Sequence, residues 1–120
     1  MGAIEQKNLS QKKCQPCEGI GQSLSRGQAE EYLRQITGWQ LNSDAKSIFR
    51  DFNMKNFMVA IAFINKIAEI AESENHHPDI HLVSYRKLRV ELSTHALGGL
   101  SENDFIVAAK INHLPIQLKS

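Results

Sequence analysis

The stretch "NFMVAIAFINKIAEIAES", Asn56 to Ser73, is the strongest constraint on the fold. Phe57, Ile61, Ile64, Ala68 and Ala71 recur at helical spacing, with Phe63, Ile67 and Ile70 widening the stripe. Asn65, Glu69 and Glu72 mark the polar face. The apolar run from Phe57 to Ile64 is too short to span a bilayer, so a membrane is excluded as partner. A stripe this broad needs a broad apolar cover, and the helix is expected to pack across a sheet. It must end near Asn75, because His77 precedes Pro78 and is biased out of helical dihedrals.

The flanking segments supply that sheet. "LSRGQAEEYLRQITGW" reads as a first helix, with Ser25 and Gln28 at capping-box spacing, an apolar face of Ala29, Leu33 and Ile36, and Gly38 as its stop. "WQLNSDAKSIFRDF" reads as a hairpin with "NSDA" as turn. "DIHLVSYRKLRVELST" holds two more strands, with Leu88, Val90 and Leu92 alternating against Arg89, Glu91 and Ser93. "SENDFIVAAKINHL" is a last helix capped by Ser101 and closed by Pro115. The fold class is therefore α+β: a four-stranded antiparallel sheet with three helices packed on one face, in the order α-β-β-α-β-β-α.

A chain of 120 residues with 42% apolar and 22% charged residues is long and apolar enough for one core. Residues 24–120 are expected to form that domain and residues 1–23 a flexible arm. The net charge of +1 and the lack of a Lys/Arg block argue against direct nucleic-acid binding. "MGAIEQKNLSQKKCQPCEG" has no apolar core of a signal peptide, so a cytoplasmic location is expected. Cys14 and Cys17 form a C-x-x-C without a second pair to complete a zinc site; they read as accessible thiols on the arm.

The chemistry concentrates in "ENHHPDIH", Glu74 to His81. His77 and His81 would suit one metal ion on a helix, but Pro78 breaks it, and on a strand they lie about 13 Å apart. No metal is expected. Proton transfer fits better, since a histidine titrates near neutrality and His76 and His77 stand at a helix C-terminus, where the dipole favours a charged ring. Glu72, four residues before His76, is placed to orient it. His95 follows the fourth strand, before Gly98-Gly99, and can join them in one cleft. Taken singly, Asp104 reads as a capping-box residue and Trp39 as a core or sheet-edge aromatic; His81 carries no role.

Together, Glu72, His76, His77, Pro78, Tyr85, Thr94, His95, Gly99 and Asp104 stand in the order and spacing of a known pattern. The chain resembles the pterin-4a-carbinolamine dehydratases from about Leu24 to His113, including "GW" at Gly38-Trp39 and "IFRDF" at Ile48 to Phe52. The arm resembles extensions of some bacterial and plant members. The resemblance implies dehydration of 4a-hydroxytetrahydropterin to quinonoid dihydropterin and water, recycling the pterin of aromatic amino acid hydroxylases, with no cofactor. It implies that His77 and His95 act as acid and base, that His76 binds the substrate near the departing hydroxyl, and that Glu72, Pro78, Trp39 and Asp104 shape the site. It also implies a homodimer or homotetramer formed through the last helix or the edge strand, and a functional link to a phenylalanine hydroxylase. The alternative it carries is a non-catalytic dimerisation adaptor for a transcription regulator.

Overall fold

Helices and strands alternate in the expected order in a computed structural model that describes residues 9–16 and 20–120. They are α1 (Arg26–Leu33), β1 (Gln40–Leu41), β2 (Ile48–Asn53), α2 (Phe57–Glu74), β3 (Asp79–Val83), β4 (Lys87–Leu92) and α3 (Glu102–Asn112). The strands form one antiparallel sheet in the order β1-β2-β4-β3. Ile48, Phe52, Leu88, Val90 and Leu92 bury one face of the sheet under the helices, while Asp51, Arg89 and His81 stand on the open face.

The helices begin where the sequence says. Ser25 accepts from the Gln28 N–H and Gln28 reaches back to the Ser25 N–H, and Ser101 with Asp104 repeats the reciprocal cap on α3. α1 stops at Leu33, earlier than Gly38, because the next turn tightens to i→i+3 bonds, which brings Ile36 into the core. α2 turns inward the widening side of its stripe, Phe63 and Ile67, rather than the stripe's centre. Ala60, Phe63, Ile67 and Ala71 are buried, with Phe63 edge-on to Phe52 at 5.1 Å, whereas Phe57 and Ala68 are exposed. So broad an apolar stripe offers more than one side to the sheet, and the aromatic pair across the sheet decides between them.

α3 is the central helix. Phe105, Ile106, Val107, Ala108 and Ile111 are all buried, so it has no broad open face, contrary to the expectation that it could form a subunit contact. The edge strand β3 and α2, with Met58 and Phe57 exposed, are the open elements. No helix among the described residues is long and apolar enough to cross a membrane.

The arm expected over residues 1–23 is, over residues 9–16, laid against α3 and the end of α2; Cys17 and residues 1–8 lie outside the described residues. Leu9 enters the core, Lys110 Nζ donates to the Ser10 carbonyl, and Lys12 pairs with Glu102 at 2.7 Å. The Cys14 N–H donates to Glu74 Oε1 at 2.9 Å, and Cys14 is half-buried rather than an open thiol. Burial works against the Glu74 charge, but the Cys14 N–H, Lys110 and Lys13 outweigh it and hold the carboxyl below the ordinary glutamate range. Unfolded chains therefore take up that proton first as pH falls. Glu74 contributes stability above the ordinary glutamate pKa and loses it as pH falls through that range toward the folded value. Glu74→Gln is expected to lower the urea midpoint at neutral pH and to flatten the acid limb of midpoint against pH. An acid limb of unchanged slope would show that the Glu74 charge is not stabilising.

Candidate active site

α2 ends on Asn75, whose left-handed backbone (φ 53°) lets the Asn75 and His76 N–H groups close on the carbonyls of Glu72 and Ala71. Asparagine tolerates this conformation better than other residues that carry a Cβ. The turn sends the next two side chains into different surroundings. His76 is buried, and His77, held extended by Pro78, has about half its side chain exposed (53%).

Each ring meets a carboxylate, but not the ones expected. Glu72 does not orient His76; its Oε2 lies 2.6 Å from His77 Nε2, at an exposed site. His76 Nε2 lies 2.6 Å from Asp104 Oδ1, inside the protein. The left-handed Asn75 breaks the helical i,i+4 relation on which a Glu72–His76 pair depends.

Asp104 is fully buried and spends both oxygens. Oδ2 accepts from the Thr94 hydroxyl at 2.8 Å and from the Ser101 N–H at 3.0 Å. Since the single Thr94 hydrogen points at Asp104, the Ser101 hydroxyl donates to Thr94 Oγ1 at 2.8 Å, and its own oxygen accepts the Asn103 N–H. A carboxylate with two such donors calls for a hydrogen on His76 Nε2 as the third. Nδ1 is then the His76 nitrogen not committed to Asp104.

This network fixes where His95 sits. Asp79 pairs with Glu91 at the end of the β3–β4 ladder, so the residues before 79 and those after 92 leave the sheet at the same end. Thr94 bridges Gly99 and shares Asp104 with His76, and His95 is the exposed residue that follows it, opening a one-turn 3-10 segment, His95–Leu97. His76, His77 and His95 therefore occupy one end of the sheet, with Glu72, Pro78 and Asp104 beside them.

Trp39 is not brought to them. It is buried, and its Nε1–H donates to Asn112 Oδ1 at 2.9 Å. Asn112 lies eight residues beyond Asp104 along α3, about 12 Å of helix rise away. Tyr85 stands in the β3–β4 turn, at the opposite end of these strands from His77. A concavity of about 560 Å³ lies on the open sheet face between Asp51, His81 and Arg89, away from the three histidines. Its main charges are already spent on each other, since Arg89 binds Asp51 through two nitrogens. The imidazole–carboxylate corner is where proton chemistry can occur.

The family model "Pterin 4 alpha carbinolamine dehydratase" matches residues 22–114. The chain belongs to the pterin-4a-carbinolamine dehydratase family. The family is one of dehydratases, that is, hydro-lyases. The chain is similar to a Halorhodospira halophila protein carrying that name, with 46% identity over 89% of this chain and 97% of that protein. It is 42% identical to "Pterin-4-alpha-carbinolamine dehydratase 2, mitochondrial" of Arabidopsis thaliana, over 92% of this chain and 60% of that protein. Its fold matches a Brucella melitensis structure described as a "transcriptional coactivator/pterin dehydratase", with TM-score 0.70, 34% identity, and 75% and 95% of the two chains covered.

Two site features escaped the sequence reading. Thr94 and Ser101, named there only as a pattern residue and a helix cap, form a network around Asp104, and Glu74 is a buried acid in the last turn of α2. The signal for Glu74 was its place: an acid at the negative end of a helix dipole needs cations or N–H donors from elsewhere. Thr94→Val is expected to cost about 1–3 kcal/mol, because it keeps the shape but strands a buried hydroxyl. Asp104→Ala should cost more, about 3–5 kcal/mol, by unpairing buried groups. Urea denaturation measures both, and equal midpoints for wild type and Thr94→Val would refute the network.

Proposed function

We propose that the chain dehydrates a 4a-hydroxytetrahydropterin to quinonoid dihydropterin and water, recycling the pterin of an aromatic amino acid hydroxylase in the cytoplasm. The observation that carries this reading is the corner where two imidazole–carboxylate pairs, His77–Glu72 and His76–Asp104, share one end of the sheet with His95. In the reaction the C4a–O bond breaks and the hydroxyl leaves as water, having gained a proton. The N5–H proton passes to a base, and its electron pair forms the C4a=N5 double bond. The change is redox-neutral and needs one acid and one base, each contributing about 10²–10⁴-fold.

We assign these to His77 and His95, the exposed pair that can flank a flat ring. Glu72 holds His77 by one nitrogen, leaving the other for substrate. His76, fixed by Asp104, presents Nδ1 toward the departing hydroxyl. Pro78 sets the separation of His77 from β3. Trp39, buried and bonded to Asn112 away from this corner, is given no part in the site. We read the protein as a homodimer or homotetramer joined through the β3 edge, with light scattering as the check.

His77→Ala and His95→Ala are each expected to lower kcat on synthetic carbinolamine by about 10²-fold or more. Wild-type kcat in both would sink the assignment. The profile of kcat/KM against pH should be bell-shaped, and His77→Ala should remove one limb.

An adaptor role is the second reading, favoured by the coactivator description of the Brucella melitensis structure. A chain carrying Ala at His76, His77 and His95 that still supports transcription in cells would move the ranking toward it.

A further inference from the structure

Asn103 and Glu74 flank the buried His76–Asp104 pair in the sequence, and both are bound by the segment 9–16. Asn103 immediately precedes Asp104. Its Oδ1 accepts the Gln15 N–H at 2.9 Å and its Nδ2 donates to the Gln15 carbonyl at 2.8 Å. Glu74 stands two residues before His76. It takes the Cys14 N–H at 2.9 Å and lies 3.6 Å from Lys13 Nζ and 3.5 Å from Lys110 Nζ. Consecutive N–H groups of one short segment therefore hold both sides of the pair: Cys14 the His76 side and Gln15 the Asp104 side. The Cys14 thiol adds a contact to the Asn103 carbonyl at 3.7 Å.

Neither anchor explains itself without the segment. Glu74 is a buried carboxylate at the negative end of α2, unfavourable on both counts unless donors and cations meet it. Asn103 is buried, and its side-chain amide bonds the Gln15 backbone in both directions. His76 and Asp104 come from elements 28 residues apart, so their alignment depends on what ties the end of α2 to the start of α3.

We propose that residues 9–16 are a strap that sets the alignment of the His76–Asp104 pair, with Glu74 and Asn103 as its positioning residues. The kinetic consequence rests on the dehydratase reading; the structural one does not. With the strap seated, His76 is held at the angle that points Nδ1 at the substrate. With it released, the end of α2 shifts against α3 and the rate falls while binding by the open histidines persists. A misplacement of about 1 Å can cost about 10²-fold in rate, so a smaller shift is expected to cost about tenfold.

Cys14 reports the seating. Burial, then the Glu74 and Asp104 charges, push its thiol up to about 12, so the seated group is sluggish toward alkylation at pH 8. A released thiol returns to about 8.5 and reacts faster. The experiment compares full-length Asn103→Ala, alone and combined with Glu74→Gln, with the parent chain, all in a Cys17→Ser background; because losing the Glu74 charge itself speeds Cys14 alkylation, seating is read from alkylation in Asn103→Ala and from the resonance and kcat in the double variant. Three quantities are read: the iodoacetamide rate at Cys14, the His76 Nε2–H proton resonance, and kcat and KM on synthetic carbinolamine.

The expected result is faster Cys14 alkylation, a moved or broadened His76 resonance, and kcat lowered about tenfold with KM changed less than about twofold. Faster alkylation with an unmoved resonance and unchanged kcat would overturn the proposal. Unchanged alkylation in both variants would also overturn it, since Asn103 and Glu74 would then not be what seats the strap. A parent chain inactive on carbinolamine would defeat the dehydratase reading alone, and the alkylation rate with the resonance would still decide the strap.

Discussion

A carboxylate without access to water must be surrounded by donors, and the rest of the site follows from how Asp104 meets that demand. Its donors come from three separate places: the start of its own helix, the end of β4, and the loop leaving α2. Each taken alone is an ordinary contact. Together they pin the end of α2 to the β4–α3 loop, although His76 and Asp104 stand 28 residues apart. Asp104 also sits where the helix dipole favours negative charge, so cap and site draw on the same charge.

The division between buried and exposed pairs gives the corner its chemical logic. His76 with Asp104 is enclosed by the protein, while His77 with Glu72 stands at the surface. Family membership makes this arrangement intelligible, but the arrangement itself comes from one backbone turn and one buried acid.

Much of this was legible in the sequence because it is local. Capping boxes at Ser25 and Ser101, the stop near Asn75, the alternation in β4 and the clustering of histidines all depend on neighbours within a few residues. The pairing of acids with histidines was not legible. Spacing alone joins Glu72 to His76, and only the left-handed Asn75 redirects Glu72 to His77. The inward face of α2 was ambiguous because its apolar stripe is broad, and Phe52 on a different element selects Phe63. The seating of residues 9–16 depends on contacts between positions 60 to 100 residues apart, which no periodicity records.

Asn75 has one further consequence. Two adjacent imidazoles separated by a single peptide bond would ordinarily share a medium and behave as near equivalents. Placing one left-handed residue before them gives neighbouring identical side chains different solvents, one provided by the protein and one by the bulk. A chain needs no second histidine-bearing element to obtain a rigid ring and a responsive one; it needs a single backbone dihedral of unusual sign.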